Sequence, residues 1–279
     1  MLRKIKTDAV IKNISQLCAR ANFDLRKDVL LALKNAFGKE RNQRSKRMLK
    51  AIIDNASIAR KEKLAICQDT GLPVVFVELG QNVQIIGDLK QAINKGIDLG
   101  YKKASLRNSI IVDPLARGKS KFSPSVIHID LVKGNKLKLT VLPKGFGCEN
   151  KTQLKMFNPT AGIDAVKKFI VDAVKTAGPD ACPPYVVGIG IGGTADFANL
   201  LAKKALLRQI NKRNAQKRIS ILEKELLSKI NKLNIGPMGL GGKTTALAVN
   251  IETYPTHIAG LPVAVNISCH ALRSATKVL

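Results

Sequence analysis

Three cysteines stand beside turn-forming residues and are the side chains best suited to bind a metal. Cys67 precedes QDTG, Cys182 precedes PPY, and Cys269 ends the apolar run VAVNIS. Thiolates bind soft metals and iron–sulfur clusters. The separations, 182 − 67 = 115 and 269 − 182 = 87 residues, match no C-x-x-C zinc or ferredoxin spacing. The residue types therefore allow a shared metal site, but their spacing does not specify one.

The remaining two cysteines differ in setting. Cys18 lies beside Leu17 and Ala21 in a stretch with helical periodicity, which favours a buried, inert thiol. Cys148 follows the glycine-rich sequence KGFG. The total of five cysteines is odd, and the first residues resemble no export signal. These features indicate thiols or metal ligands rather than disulfide bonds.

Several polar residues could take part in acid–base chemistry or bind an anion. Asp69 lies in the QDTG turn, where its ordinary role is to form or cap the turn. Arg107 lies in a polar turn and is either a surface residue or a clamp for a carboxylate. His257 is, by residue type alone, an ordinary loop histidine. His128 falls on the apolar face of a predicted strand and is interpreted as structural.

Two glycine-rich segments are similar to nucleotide-binding motifs. Gly188, Gly190 and Gly193 fit G-x-G-x-x-G after a strand and before a helix, but no acidic residue on a second strand follows about twenty positions later. We interpret these glycines as allowing close packing and a cradle for a cluster or carboxylate. GPMGLGGKTT departs from a phosphate loop because Pro237 stands five residues before Gly242 and a strand pattern follows. ATP is therefore not the predicted ligand.

The charge balance raises nucleic-acid binding as an alternative. The net charge is +27 and the pI is about 10.1. Lys and Arg are spread along the chain, however, Trp is absent, and aromatic residues make up 4%, which leaves little for base stacking. A diffuse positive field would also attract small anionic substrates.

Hydrophobic periodicity predicts a mixed α/β (α+β) fold. Helical patterns cover residues 5–60, 86–104, 159–178 and 215–233. Strand patterns include VVFVEL, YVVGIGIG, TALAVNIE and two strands within 125–145 that would form a hairpin at Gly134-Asn135. The segment KGFGCENK would present backbone N–H groups to an anion before a helix starting near Asn150. No run of 18 apolar residues occurs, so we predict a cytoplasmic protein without a membrane span.

Four sequence motifs resemble the iron-sulfur-dependent class I fumarate hydratases. They are CQDTG (67–71), PKGFGCENK (143–151), CPPYVVGIGIGGT (182–194) and GPMGLGGKTTALAVNIETYPTHIAGLPVAVNISCHALR (236–273). The similarity is collinear from about residue 60. It is greatest to the alpha chain of the two-subunit form, which includes the alpha chain of L(+)-tartrate dehydratase.

The resemblance implies that Cys67, Cys182 and Cys269 bind a four-iron four-sulfur cluster. Three thiolates leave one iron without a protein ligand, and that iron would act as a Lewis acid on the substrate hydroxyl and a carboxylate. The family usually has a small residue at the position of Cys148, so a fourth thiol near the cluster remains an alternative.

The resemblance also implies roles around the substrate. Gln68, Arg107 and Gly147 would bind the substrate, while Asp69 and His257 would form an acid dyad that protonates the departing hydroxyl. Lys243 belongs to a motif without an assigned chemistry. Residues 1–279 would then form one hydro-lyase alpha-chain domain, with a helical part at 1–62 and a cluster-binding, catalytic part at 63–279.

A second chain is expected to complete this active site. Single-chain members of the family carry a C-terminal domain that contributes the proton-abstracting hydroxyl and further Arg and Lys side chains. This chain ends at Leu279, so the resemblance implies a separate beta subunit and an α2β2 assembly. The expected reaction is hydration of fumarate to (S)-malate. L-Tartrate dehydration is the first alternative, and a basic nucleic-acid-binding protein and a dinucleotide-dependent oxidoreductase are the others.

Overall fold

A computed structural model describes residues 2–279. Its elements follow one another as β1 (Arg3–Lys6), α1 (Thr7–Phe23), α2 (Lys27–Lys39), α3 (Gln43–Glu62), β2 (Leu72–Gly80), β3 (Val83–Ile86), α4 (Leu89–Lys103), β4 (Ile110–Asp113), β5 (Arg117–Lys121), β6 (Val126–Val132), β7 (Leu137–Lys144), α5 (Phe146–Glu149), β8 (Gln153–Phe157), α6 (Gly162–Ala177), β9 (Tyr185–Gly193), α7 (Ala195–Ala205), α8 (Lys217–Asn231), β10 (Ala246–Thr256), β11 (Leu261–Ser268) and β12 (Ala275–Val278). The predicted α+β class is confirmed.

The chain divides into two compact units. Unit 1 is made of Met1–Leu25, Ala56–Phe146 and Arg273–Leu279, and unit 2 is made of Arg26–Asn55 and Gly147–Leu272. The single-domain organisation expected for residues 1–279 stays a prediction.

Unit 1 is built on a four-stranded sheet with the order β12-β7-β2-β6. In β2, residues 73–77 are buried in succession, as expected for a central strand covered on both faces. Helix α1 buries Val10, Ile14, Leu17 and Ala21, a spacing that places them on one helical face. Helix α4 packs against α1 and is capped at its N-terminus by Asp88, whose carboxylate accepts the backbone N–H of Gln91.

The predicted hairpin within residues 125–145 is wrong. Strands β6 and β7 exist, but β2 lies between them, parallel to β6 and antiparallel to β7. The connection wraps around the end of β2, where the backbone N–H of Gly80 donates to Lys136 O at 2.9 Å and that of Asn82 donates to Gly134 O at 2.9 Å. The turn signal at Gly134-Asn135 therefore marks a loop around a third strand.

Unit 2 is built on the sheet β10-β9-β11-β8, with β9 and β10 parallel. Helix α7 packs on β9. A Cβ atom added at Gly188 would lie 2.2 Å from Ala202 O, and one at Gly190 would lie 2.0 Å from Ala198 O. The close-packing role predicted for these glycines is confirmed, because any side chain would push the helix off the strand.

The segment after KGFG differs from its prediction. The helix is the single turn α5, and strand β8 follows where a helix near Asn150 was expected. Strand β8 is the edge strand of its sheet and pairs antiparallel with β11, a long-range interaction that local periodicity does not reveal. Among the described residues, no helix combines the length and the apolar character needed to cross a membrane.

Candidate active site

The turn that carries Cys67 is held from several sides within unit 1. The backbone N–H of Ile66 donates to Asn22 O at 3.0 Å. The Asp69 carboxylate accepts two backbone N–H groups, from Gly71 to Oδ1 at 3.0 Å and from Phe146 to Oδ2 at 2.8 Å. The KGFG segment thus offers a backbone N–H group to an anion, as predicted. The anion that accepts it is the side-chain carboxylate of Asp69.

Thr70 joins this turn to the segment of Arg107. Its Oγ1 accepts the backbone N–H of Arg107 and donates to Arg107 O, both at 3.1 Å. The buried Tyr101 hydroxyl donates to Thr70 O at 2.9 Å. Burial raises the pKa of Tyr101 well above its ordinary value, so the hydroxyl remains a hydrogen-bond donor at physiological pH.

A cavity of about 630 Å³ lies next to this turn. Its lining includes Asp69, Arg107, Ser109, Arg117 and Phe146. The structure therefore brings a carboxylate and two guanidinium-bearing residues to one cavity within unit 1. Gln68, which precedes Asp69 in the sequence, is exposed, and the Cys67 thiol lies 3.6 Å from Gln68 Oε1.

The turns that carry Cys182 and Cys269 meet within unit 2. Cys182 has φ +57°, a left-handed backbone conformation that few non-glycine residues adopt. Its carbonyl oxygen accepts the backbone N–H of His270 at 3.3 Å and lies 3.1 Å from His270 Nδ1. His270 follows Cys269 directly, so these contacts connect the two cysteine turns. Sequence reasoning gave His270 no role, and its adjacency to Cys269 was the available signal.

Cys148 lies beside the same turn. Its thiol is buried and contacts Ala181 O at 3.3 Å, one residue before Cys182. It also belongs to the apolar core of unit 2, against which Cys269 packs while remaining partly exposed. The alternative role of Cys148 as a thiol near a cluster stays a prediction.

His257 and Gly147 occupy exposed positions of unit 2. His257 lies between β10 and β11, and its Nδ1 accepts the backbone N–H of Ala259 at 3.2 Å. A Cβ atom at Gly147 would meet nothing within 4 Å. Because Asp69 belongs to unit 1 and His257 to unit 2, their pairing stays a prediction.

The donor chemistry of the three predicted ligands fits an iron–sulfur cluster. Cys67, Cys182 and Cys269 are all partly exposed at turns, and no disulfide joins any cysteines in residues 2–279. Cys18 provides the contrast, because burial strongly raises the pKa of its thiol. Residues 2–279 contain no group of three or more His, Cys, Asp or Glu side chains arranged around a single metal ion.

The GGKTT segment is held by a buried carboxylate. Glu40 is 3% exposed, and its carboxylate accepts the backbone N–H groups of Arg41 at 2.9 Å, Asn42 at 3.0 Å and Lys243 at 2.8 Å. An internal carboxylate therefore occupies donors that a phosphate loop would offer to its ligand. This contact accounts for the backbone conformation of the motif. It assigns no role to the Lys243 side chain.

A larger cavity, of about 820 Å³, lies between α6, α8 and the ends of β9 and β10 in unit 2. Its walls are mostly apolar and include Ile163, Ile219, Leu222 and Tyr254. None of the predicted site residues belongs to its described lining. Size alone therefore does not identify the reactive site of this chain.

Comparison with known proteins agrees with these motifs. Residues 11–278 match the family model described as Fumarate hydratase (Fumerase). A Methanocaldococcus jannaschii protein, provisionally named an L(+)-tartrate dehydratase subunit alpha, is 44% identical over 272 residues, covering 95% of each chain. L(+)-tartrate dehydratase subunit alpha of Escherichia coli strain UTI89 is 32% identical over 253 residues, covering 89% of this chain and 84% of its own.

The matched family and the motif-bearing turns define a hydro-lyase. More specifically, the chain belongs to the class I fumarate hydratase family, in the group formed by alpha subunits.

Proposed function

We propose that this chain is the alpha subunit of a hydro-lyase that reversibly hydrates fumarate to (S)-malate. The observation that carries the proposal is the cavity shared by Asp69 and Arg107. The Arg107 side chain makes no hydrogen bond or ion pair with the described residues, so its guanidinium can bind a substrate carboxylate. The matched family supports the same reaction.

Cys67, Cys182 and Cys269 would hold a four-iron four-sulfur cluster. When bound, the cluster supplies a Lewis-acidic iron that makes hydroxide a better leaving group. Their partly exposed thiols support this assignment, whereas Cys18 is too deeply buried to serve. The further thiol of Cys148 would lie beside the Cys182 ligand, as its contact with Ala181 O indicates.

Asp69 would act in proton transfer with its orientation fixed in advance. Both carboxylate oxygens accept backbone N–H groups, which holds the side chain in one rotamer while leaving each oxygen further lone pairs. Preset orientation lowers the entropic cost of reaching the reactive geometry. In the proposed dyad, Asp69 orients the His257 imidazole, which donates a proton to the departing hydroxyl. Gln68 and Gly147 complete the proposed substrate contacts on this chain.

A separate beta subunit would complete the site, in an α2β2 assembly. Support comes from the relatives, which are named as alpha subunits. The proton-abstracting group would lie on that chain. A cytoplasmic location and the absence of nucleic-acid binding remain part of the proposal.

L-Tartrate dehydration to oxaloacetate is the second candidate. The names of both relatives favour it. Tartrate differs from malate by one additional hydroxyl group. A site that hydrogen-bonds this hydroxyl could strongly reject the substrate that lacks it.

The test is anaerobic reconstitution of the alpha chain with its beta partner, followed by turnover of fumarate, (S)-malate and L-tartrate. We expect a brown complex with about four irons per alpha chain and the highest kcat/KM for fumarate and malate. A higher kcat/KM for L-tartrate would establish the second candidate. An iron-loaded complex that turns over none of the three would contradict both.

A further inference from the structure

Arg273 is a buried cation next to the turn that carries Cys67. Its side chain belongs to unit 1 and is 3% exposed. Its Nη2 donates to the carbonyl oxygen of Asp69 at 2.8 Å, and its Nη1 donates to Asn22 Oδ1 at 3.1 Å. The Nε atom is also buried and has no hydrogen-bond partner in the described part of the chain.

No carboxylate forms an ion pair with Arg273 among the described residues. A buried charge without a counterion is costly, and an apolar side chain of similar volume is often at least as stable in such a place. Packing alone therefore gives no reason for an arginine here. A reason exists if the positive charge faces an anion that binds next to the turn.

Asn22 extends the same support to the other end of the turn. The asparagine is fully buried, and its Nδ2 donates to Cys18 O at 3.0 Å. Its backbone oxygen accepts the N–H of Ile66 at 3.0 Å, while its side-chain oxygen accepts from Arg273. Arg273 and Asn22 thus hold Ile66 and Asp69, the residues that flank Cys67 and Gln68.

The guanidinium approaches the Asp69 carboxylate without forming an ion pair with it. A Cβ atom added at Gly145 would be 3.2 Å from Asp69 Oδ2 and 3.9 Å from Arg273 Nη2. The two groups therefore border the same small space. Positive charge at this point attracts an anion that binds beside the turn, such as a dicarboxylate.

We propose that Arg273 is a positioning residue of the active site, which fixes the Cys67–Gly71 turn and supplies the positive charge for the anions assembled there. This inference rests on the proposed function for its effect on turnover. Its effect on the turn itself can be measured without any cofactor or substrate.

The first experiment is amide hydrogen exchange on the complete chain, comparing wild type with Arg273→Lys, Arg273→Ala and the control Lys277→Ala. Lys277 is an exposed residue of β12, four positions further on. We expect exchange in residues 66–71 to be about tenfold faster in Arg273→Ala, with little change in α6 of unit 2 or in the control. Unchanged exchange in 66–71 would overturn the positioning role.

The second experiment measures turnover of the reconstituted complex with the same variants. We expect Arg273→Ala to lower kcat by ~100-fold, with a much smaller change in KM because substrate contacts persist. Arg273→Lys should recover part of this loss, and added methylguanidinium should partly rescue Arg273→Ala and leave Lys277→Ala unaffected. A purely structural role predicts neither the split between kcat and KM nor the rescue.

The two failures can be distinguished. If the wild-type complex turns over no dicarboxylate, the proposed function fails, and the hydrogen-exchange result still decides whether Arg273 positions the turn. If wild type is active and Arg273→Ala has the wild-type kcat, the inference fails and the proposed function stands.

Discussion

Two turns carry the proposed acid dyad, and they differ in how the chain supports them. Around Asp69, residues 66, 69, 70 and 71 bond to Asn22, Arg273, Arg107, Tyr101 and Phe146. Around His257, the bonds of Thr256, His257 and Ala259 stay within the turn or reach Gly193 at the end of β9. Ile258 beside the histidine is 89% exposed.

This difference indicates that the chain itself orients the Asp69 side chain, whereas a binding partner could orient His257. Long-range bonds from Phe146 and Arg273 give Asp69 one orientation before any ligand binds. The turn at His257 has few such bonds and an exposed apolar side chain, which is typical of a segment ordered by binding. We therefore expect substitutions near Asp69 to act within this chain and substitutions near His257 to depend on the beta subunit.

The largest effect is expected from removing a proposed cluster ligand. Cys67→Ala or Cys182→Ala should lower activity by at least ~1,000-fold and sharply reduce iron content, because an alanine offers no ligand atom. Iron analysis and fumarate hydration measure both. Cys18→Ala is the matched control and should keep its iron, since that thiol is buried in the core of unit 1. Equal iron loss in Cys18→Ala would remove the distinction between exposed and buried cysteines.

Next in size is Asp69→Asn. The amide can still accept one backbone N–H, but it lacks the negative charge and cannot accept at both positions. We expect kcat to fall by about 100- to 10,000-fold with iron content retained. Steady-state kinetics and iron analysis on one preparation give the result. Asp88→Asn, at the exposed N-cap of α4, should keep the wild-type kcat. A wild-type kcat in Asp69→Asn would exclude Asp69 from proton transfer.

His257→Asn should produce a smaller loss that appears only in the complex. We expect kcat to decrease by about 100-fold, while the unfolding midpoint of the alpha chain alone stays unchanged because His257 is exposed. Hydrogen exchange with and without the beta chain provides the sharper test, since residues 256–260 should become protected when the partner binds and residues 66–71 should already be protected. Slow exchange at 256–260 in the isolated chain would contradict the comparison.

Sequence patterns predicted many elements of the fold and the reactive residue types, but not the contacts that hold them. Strands β2, β9 and β10 were predicted from apolar or alternating runs, and a helix was expected after the glycine motif that ends β9. The false hairpin arose because period-two alternation is the same whether β6 pairs with β7 or with β2. Asn22 and Arg273 were missed for a related reason. They lie 251 residues apart, and each looks locally like a polar residue of an ordinary segment.

The smallest effect is expected at Tyr101, whose hydroxyl bonds to the turn that carries Asp69. Tyr101→Phe removes the hydroxyl that donates to Thr70 O at 2.9 Å and leaves a buried carbonyl with one donor fewer. We expect a loss of about 1 kcal/mol in unfolding free energy and less than a roughly threefold decrease in kcat, because the bond between Arg273 and Asp69 remains. Chemical denaturation gives the stability. Tyr254→Phe is the matched control, because that ring is 56% exposed and lies two residues from Thr256. Equal destabilisation by the two changes would mean that the turn at Asp69 is no more firmly held than the turn at His257.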